Sequence, residues 1–213
     1  MIKVDNLTIM AANRILCSGV SFELKKEEKA ALTGASGCGK SSLLRAIAGL
    51  HDINAGIIKI DGVELTLLTL GAIRQRIVFL PQQPVMGAES TRDALLLPFA
   101  FKLNAQLRPD HETILKTLAL IGLPEEILKQ PAALLSGGEK QRIAIARGLL
   151  MKRNIFLADE ITASLDGDSR DQVIRILQEL PITMLAVSHD PVFLVACPIQ
   201  YHMENNSVRK VRP

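Results

Sequence analysis

Nine consecutive residues carry the most specific chemistry in this chain: Gly34-Ala35-Ser36-Gly37-Cys38-Gly39-Lys40-Ser41 and the following Ser42. The first eight fit G-x-x-x-x-G-K-[ST], a loop that cradles phosphate with backbone amides. An apolar run, Ala30-Ala31-Leu32-Thr33, leads in and reads as a strand, while Ser42 to Ala48 leads out and reads as a helix. The glycines let the backbone curl so that successive N–H groups face one anion. The helix start adds free amides and a partial positive charge. In this arrangement Lys40 reaches the β- and γ-phosphates of a nucleotide, and the Ser41 hydroxyl holds Mg²⁺.

Two further features extend that chemistry. Asp159-Glu160 closes the apolar strand Ile155-Phe156-Leu157-Ala158. Two acids at the mouth of a buried strand are costly unless positive charge lies nearby. Asp159 therefore reads as an acid for Mg²⁺, and Glu160 as the group that polarises an attacking water. Leu135-Ser136-Gly137-Gly138-Glu139 is the second feature. Ser136 with Glu139 three residues on is a capping box. Gly137 and Gly138 leave the amides of that helix start uncovered, so it too can face an anion.

These residues need a scaffold, and the patterning supplies one. Ile57-Ile58-Lys59-Ile60, Asp61-Gly62 and Val63-Glu64-Leu65 form a hairpin signal. With β-rich patterns at 2–4, 7–9 and 20–24, it predicts an antiparallel β region. Arg76 to Leu80 reads as a buried strand ended by Pro81. From about 84 to 150 the chain reads as mostly helical: Ile114, Leu115, Leu118 and Ile121 recur at helical spacing, and a helix follows Ser136. The strand at 155–158, a helix at 168–180 and a strand from Ile182 to Val187 restore the alternation of a parallel sheet covered on both faces. The phosphate loop, Gln82, Asp159/Glu160 and His189 all follow strand ends, where ligands of such sheets bind.

Composition narrows the function. The 213 residues are 48% hydrophobic, enough for a substantial core, but only 3% aromatic, which disfavours stacking on single-stranded nucleic acid. Lys and Arg number 25 against 22 Asp and Glu, a net charge of +3 that is scattered and calls for no nucleic-acid partner. Arg209-Lys210-Val211-Arg212 reads as a solvated tail. Cys17, Cys38 and Cys197 suggest no disulfide framework and fit a reducing cytoplasm; Cys38 inside the loop reads either as a small residue tolerated at a variable position or as a thiol whose oxidation would block nucleotide binding. The N-terminus is not a signal peptide, and no apolar run is long enough to span a membrane.

Leu-Ser-Gly-Gly-Glu-Lys-Gln-Arg at 135–142 resembles the signature motif of ABC ATPases. The other motifs of that family appear in order: Gly34–Ser41 as Walker A, Gln82 as the Q-loop glutamine, Ile155–Glu160 as Walker B with its glutamate, Ser164-Leu165-Asp166 as the D-loop, and His189 as the switch histidine. The resemblance covers nearly the whole chain. It implies an α/β P-loop NTPase (RecA-like) core with a parallel sheet, an antiparallel β subdomain and an inserted helical subdomain. One nucleotide-binding domain then spans 1–213, with about 1–82 and 151–213 as core and about 83–150 as the helical part.

It also implies a mechanism. Two copies pack head to tail around two ATPs, each held with Mg²⁺ by Ser41, Gln82 and Asp159. Ser136, Gly137, Gly138 and Glu139 of one copy cover the nucleotide on Gly34–Ser42 of the other. Glu160 resembles the catalytic base, His189 the residue on the γ-phosphate, Gln82 a contact to Mg²⁺ or water, and Asp166 the link between the two sites. The chain departs from the family in two places. No aromatic residue for adenine stacking lies near Met10-Ala11-Ala12, leaving Met10 or Ile15 for apolar contact, and Ile161 stands where the family usually has proline.

With one cassette and no membrane span, the chain is expected to be the ATPase subunit of a transporter, on the cytoplasmic face of a bacterial inner membrane and served by a separate permease. Pro84 to Phe101, with Leu95-Leu96-Leu97-Pro98-Phe99-Ala100-Phe101, is either the groove for that permease or core of the helical part. The alternative is a soluble ABC ATPase of cluster assembly, cell division, DNA or ribosomes. Asp159-Glu160-Ile161-Thr162, the chain length and Leu97-Pro98-Phe99 resemble small bacterial cassettes of the Fet type, which implies iron export; a lipoprotein- or peptide-type cassette is the main rival.

Overall fold

A computed structural model of the chain describes residues 1–11 and 14–212. It divides into two compact units: 1–79 with 154–160 and 181–213, and 80–153 with 161–180.

The first unit holds a four-stranded sheet of order β2-β1-β4-β5, from β1 (Ile2–Ala11), β2 (Arg14–Leu24), β4 (Ala55–Ile60) and β5 (Val63–Glu64). All its pairings are antiparallel. Ile2, Val4, Leu7 and Ile9 of β1 are all buried although their spacing breaks the period of two. A register shift between Val4 and Leu7, with Asn6 at φ 48°, turns the strand so that both pairs meet the core. The hairpin at 57–65 forms as its sequence predicts: Ile60 pairs with Val63, and Asp61 and Gly62 have φ of 48° and 80°, the mirror-image turn that follows strand twist.

The larger sheet has the order β10-β9-β3-β8-β7-β6, built from β3 (Lys29–Gly34), β6 (Ile77–Leu80), β7 (Ile155–Asp159), β8 (Thr183–Val187), β9 (Ile199–Glu204) and β10 (Ser207–Arg212). β3 pairs in parallel with β8 and β9, and β7 with β8. Every residue of β7 and β8 is buried, as expected of strands covered on both faces. The run Arg209-Lys210-Val211-Arg212 is not a loose tail. It belongs to β10, which pairs antiparallel with β9 through a turn at Asn205-Asn206. Alternation through Tyr201, Met203 and Val208 and the tolerance of Asn for positive φ were the signals for that hairpin.

Helices α1 (Lys40–Ile47), α2 (Leu70–Arg74) and α7 (Pro191–Ala196) lie in this unit. The second unit carries α3 (Thr91–Leu96), α4 (His111–Leu120), α5 (Gly137–Leu150) and α6 (Gly167–Glu179). Their N-caps Ser90, Asp110, Ser136 and Asp166 each accept the amide three residues on. Leu95, Leu96 and Phe99 are buried core of this unit, whereas Phe101 is 62% exposed. Three of the seven residues of the apolar run at 95–101 are thus internal packing. Among the described residues no helix is long and apolar enough to cross a membrane.

Candidate functional site

The phosphate loop is the turn from β3 into α1. Gly34 is the last residue of β3, and Lys40, Ser41 and Ser42 form the first turn of α1. Ala35, Ser36 and Gly37 are exposed, and Cys38 and Gly39 half-buried. Gly34 cannot be another residue: its φ is 142°, and a Cβ would stand 2.3 Å from the Met203 carbonyl oxygen. Gly39, the N-cap of α1, brings no side chain to the helix start and no acid lies in its first turn, so the amides there have no side-chain cap. The buried Lys40 ammonium donates to the carbonyls of Gly34 and Ala35, both at 2.8 Å, and so sits centred on the loop.

Beside the loop, the Ser41 hydroxyl donates to Asp159 Oδ1 at 2.9 Å. Asp159 is the buried last residue of β7, not the first beyond it. Burial pushes its carboxyl above the usual range and the charge of Glu160 adds to that, while the Ser41 bond and the Arg45 and Lys40 charges partly offset it. One hydroxyl and one carboxylate that gains from a nearby cation are a hard-oxygen set of the kind Mg²⁺ takes alongside phosphate and water.

Glu160 follows in the left-handed region at φ 50°, its amide donating to the Val187 carbonyl at 3.0 Å. That bond extends the β7–β8 ladder by one residue and turns the Glu160 side chain out of the strand register. Glu160 Oε1 lies 3.9 Å from Nε2 of the exposed His189, which follows β8. The first unit therefore brings together the loop, Asp159, Glu160 and His189.

The other predicted residues lie in the second unit. Gln82 is exposed just after β6. Ser136 and Glu139 form the expected box: Ser136 N–H donates to Glu139 Oε2 at 2.8 Å, and Glu139 N–H to Ser136 Oγ at 3.2 Å. These bonds from Ser136 hold the Glu139 carboxyl below the usual carboxylate range. A Cβ on Gly138 would lie 3.0 Å from the Ser164 carbonyl oxygen, and one on Gly137 3.7 Å from the Ser164 Cβ. The glycine turn is thus packed directly on the 164–166 segment. Asp166 is exposed and caps α6 by accepting the Ser169 amide at 3.0 Å, a structural duty the sequence did not announce.

Three residues went unnoticed in the sequence. Arg45, one helical turn after Ser41, acts electrostatically on Asp159; Met203 and Leu16 form the floor of the loop. The i,i+4 spacing pointed to Arg45, whereas only the sheet order brings Met203 to Gly34. Of the residues expected to meet adenine, Met10 and Ile15 are in register across β1 and β2, 38% and 44% exposed, and Ala12 lies outside the described residues.

Fold and site define an α/β P-loop nucleoside triphosphatase. Residues 17–163 match the family model described as ABC transporter. The chain belongs to the ABC transporter family as an ATP-binding, ATP-hydrolysing subunit. It is 32% identical to the probable iron export ATP-binding protein FetA of Escherichia coli over 89% of this chain and 85% of that one. It is also 32% identical to the phosphate import ATP-binding protein PstB of Campylobacter jejuni, over 88% and 80% of the two chains. Among solved structures, the dimeric post-hydrolysis state of the ATP-binding cassette MJ0796 with ADP and Pi matches both chains in full, at 27% identity and a TM-score of 0.87.

Proposed function

We propose that the whole chain is one nucleotide-binding domain that powers a separate membrane permease from the cytoplasmic face, by closing head to tail with a second copy around two ATPs. The observation that carries this reading is the Ser41–Asp159 hydrogen bond beside a loop centred on Lys40. Ser41 and Asp159, with Gln82, would hold Mg²⁺, which when bound neutralises phosphate charge. Lys40 grips the β- and γ-phosphates, Glu160 takes the proton of the attacking water, and His189 orients the γ-phosphate. Gly137 and Gly138 of the second copy offer their amides to the same phosphate, with Ser136 and Glu139 fixing that helix start and Asp166 joining the two sites. The dimeric MJ0796 cassette supports the pairing.

For the cargo we propose a metal ion such as iron, exported, on the likeness to FetA. The equal identity to a phosphate importer makes this the part that experiment must decide. Tagged protein recovered from detergent-solubilised membranes should bring an integral-membrane partner with it, and cells lacking the chain should accumulate iron. Recovery with ribosomes or DNA instead would overturn the transport reading.

A further inference from the structure

The three cysteines remain outside the proposed chemistry; Cys38 lies in the phosphate loop, and Cys17 follows Leu16, whose carbonyl abuts Gly39 of that loop. Cys17 is fully buried in the core of the first unit, and Cys38 packs against that same cluster, which also contains Met203. The backbones next to both cysteines touch. A Cβ on Gly39 would stand 2.8 Å from the Leu16 carbonyl oxygen and 2.9 Å from the Met203 methyl, and one on Gly34 would stand 3.1 Å from Cys38 Sγ. The Cys38 sulfur therefore lies against the start of the loop and the core beneath it.

We propose that Cys17 and Cys38 form a reversible disulfide that ties the phosphate loop to β2 and switches off nucleotide binding under oxidising conditions. Burial pushes the Cys17 thiol up to about 12 and a charge on Cys38 adds to that, so Cys17 is the slower nucleophile and reacts second. Half-buried Cys38 is then the entry point and Cys17 the resolving thiol. With a low-molecular-weight disulfide RSSR as oxidant, the Cys38 thiolate attacks one sulfur, forms a mixed disulfide and releases RSH after protonation. The Cys17 sulfur, losing its proton, then attacks the Cys38 sulfur and releases the second RSH. Two protein thiols are oxidised and one RSSR is reduced to two RSH.

The bridge acts on binding through the glycines. A disulfide draws the two Cβ atoms to about 3.8 Å. That pulls Cys38 toward β2, but Gly39 already abuts Leu16 and Gly34 abuts the Met203 carbonyl, so the loop cannot follow as a rigid body. It must buckle, and its amides lose their common focus.

The inference rests on the phosphate-loop reading, and two readouts keep the two apart. The full chain is incubated with oxidised glutathione and digested without reduction. The bridge is expected as a Cys17 peptide linked to a Cys38 peptide, with Cys197 still free. Affinity for ATP is expected to fall about tenfold or more and to return with dithiothreitol. In Cys17→Val, which keeps the site apolar, and in Cys17→Ala, the glutathione adduct on Cys38 should persist because nothing resolves it. A persistent adduct in the wild type too, a bridge to Cys197, or a mapped bridge with unchanged ATP affinity each overturns the proposal. Reduced protein that binds no ATP would overturn the phosphate-loop reading, while peptide mapping would still decide the bridge.

Discussion

Ser41 on α1 and Asp159 at the end of β7, 118 positions apart in sequence, share a hydrogen bond of 2.9 Å. It is the tie between the phosphate loop and the acid strand, and it forms although burial disfavours the Asp159 carboxylate. Holding that charge in place costs stability unless a cation such as the proposed Mg²⁺ meets it. Asp159→Asn keeps the shape and an acceptor for Ser41 while removing the charge. The nucleotide-free variant should melt above the wild type, and its Mg²⁺-dependent ATP hydrolysis should be lost. A lower melting temperature by scanning calorimetry would mean that Asp159 is structural.

Glu160 holds a left-handed backbone that a side chain resists by about 1–2 kcal/mol. Glycine relieves this cost and alanine does not. Glu160→Gly should therefore resist urea better than Glu160→Ala by about 1 kcal/mol. Both should slow hydrolysis by about 10²–10⁴, the range general base catalysis supplies. In Glu160→Gln, ATP with Mg²⁺ should trap a dimer on a sizing column; a persistent monomer at high concentration would count against head-to-tail closure.

The phosphate loop was legible because its chemistry is local: glycine freedom, a helix start and one lysine, all within nine residues. The hairpin at 57–65 and the capping box at Ser136 were legible for the same reason. What escaped the sequence is long-range or electrostatic. Met203 reaches Gly34 only because β9 is inserted beside β3 in the sheet order, and no local pattern encodes that neighbour. The C-terminal hairpin was missed because its outer strand is charged and mostly exposed, and such an edge strand has the same composition as a solvated tail.

Gly137 and Gly138 differ in room. Alanine at 137 meets only ordinary contact with the Ser164 Cβ, while alanine at 138 meets the Ser164 carbonyl at 3.0 Å. Gly137→Ala should keep or slightly raise stability, since alanine favours helix by about 1 kcal/mol over glycine. Gly138→Ala should shift the 164–166 segment and be the less stable of the two. Both should bind ATP as the wild type does and hydrolyse it more slowly, because in the proposed head-to-tail pairing the methyl would cover an amide facing the second copy's nucleotide. Weakened ATP binding by either monomer in calorimetry would place this turn in the wrong role.

The exposed Met10 and Ile15 would offer an adenine base apolar contact without a ring to stack on. ATP and GTP should therefore bind with similar affinity, and neither Met10→Ala nor Ile15→Ala should favour one base. A large preference for ATP in competition titrations would point to a base pocket elsewhere.

The box at Ser136–Glu139 gives the second unit a pH dependence of known sign. The Glu139 carboxyl is lowered by its bonds from Ser136, so the carboxylate form stabilises the fold. Its contribution is complete above the ordinary glutamate value of about 4.3 and is lost as pH falls through the lowered native value. Glu139→Gln retains an acceptor for the Ser136 amide but not the charge at the start of α5. At neutral pH the variant should be less stable by about 0.3–1 kcal/mol, the worth of an acid near a helix N-terminus. As pH falls below about 4 the wild type should lose this advantage and the two melting curves should converge. Parallel curves down to acid pH, followed by circular dichroism, would show that the Glu139 charge adds nothing to α5.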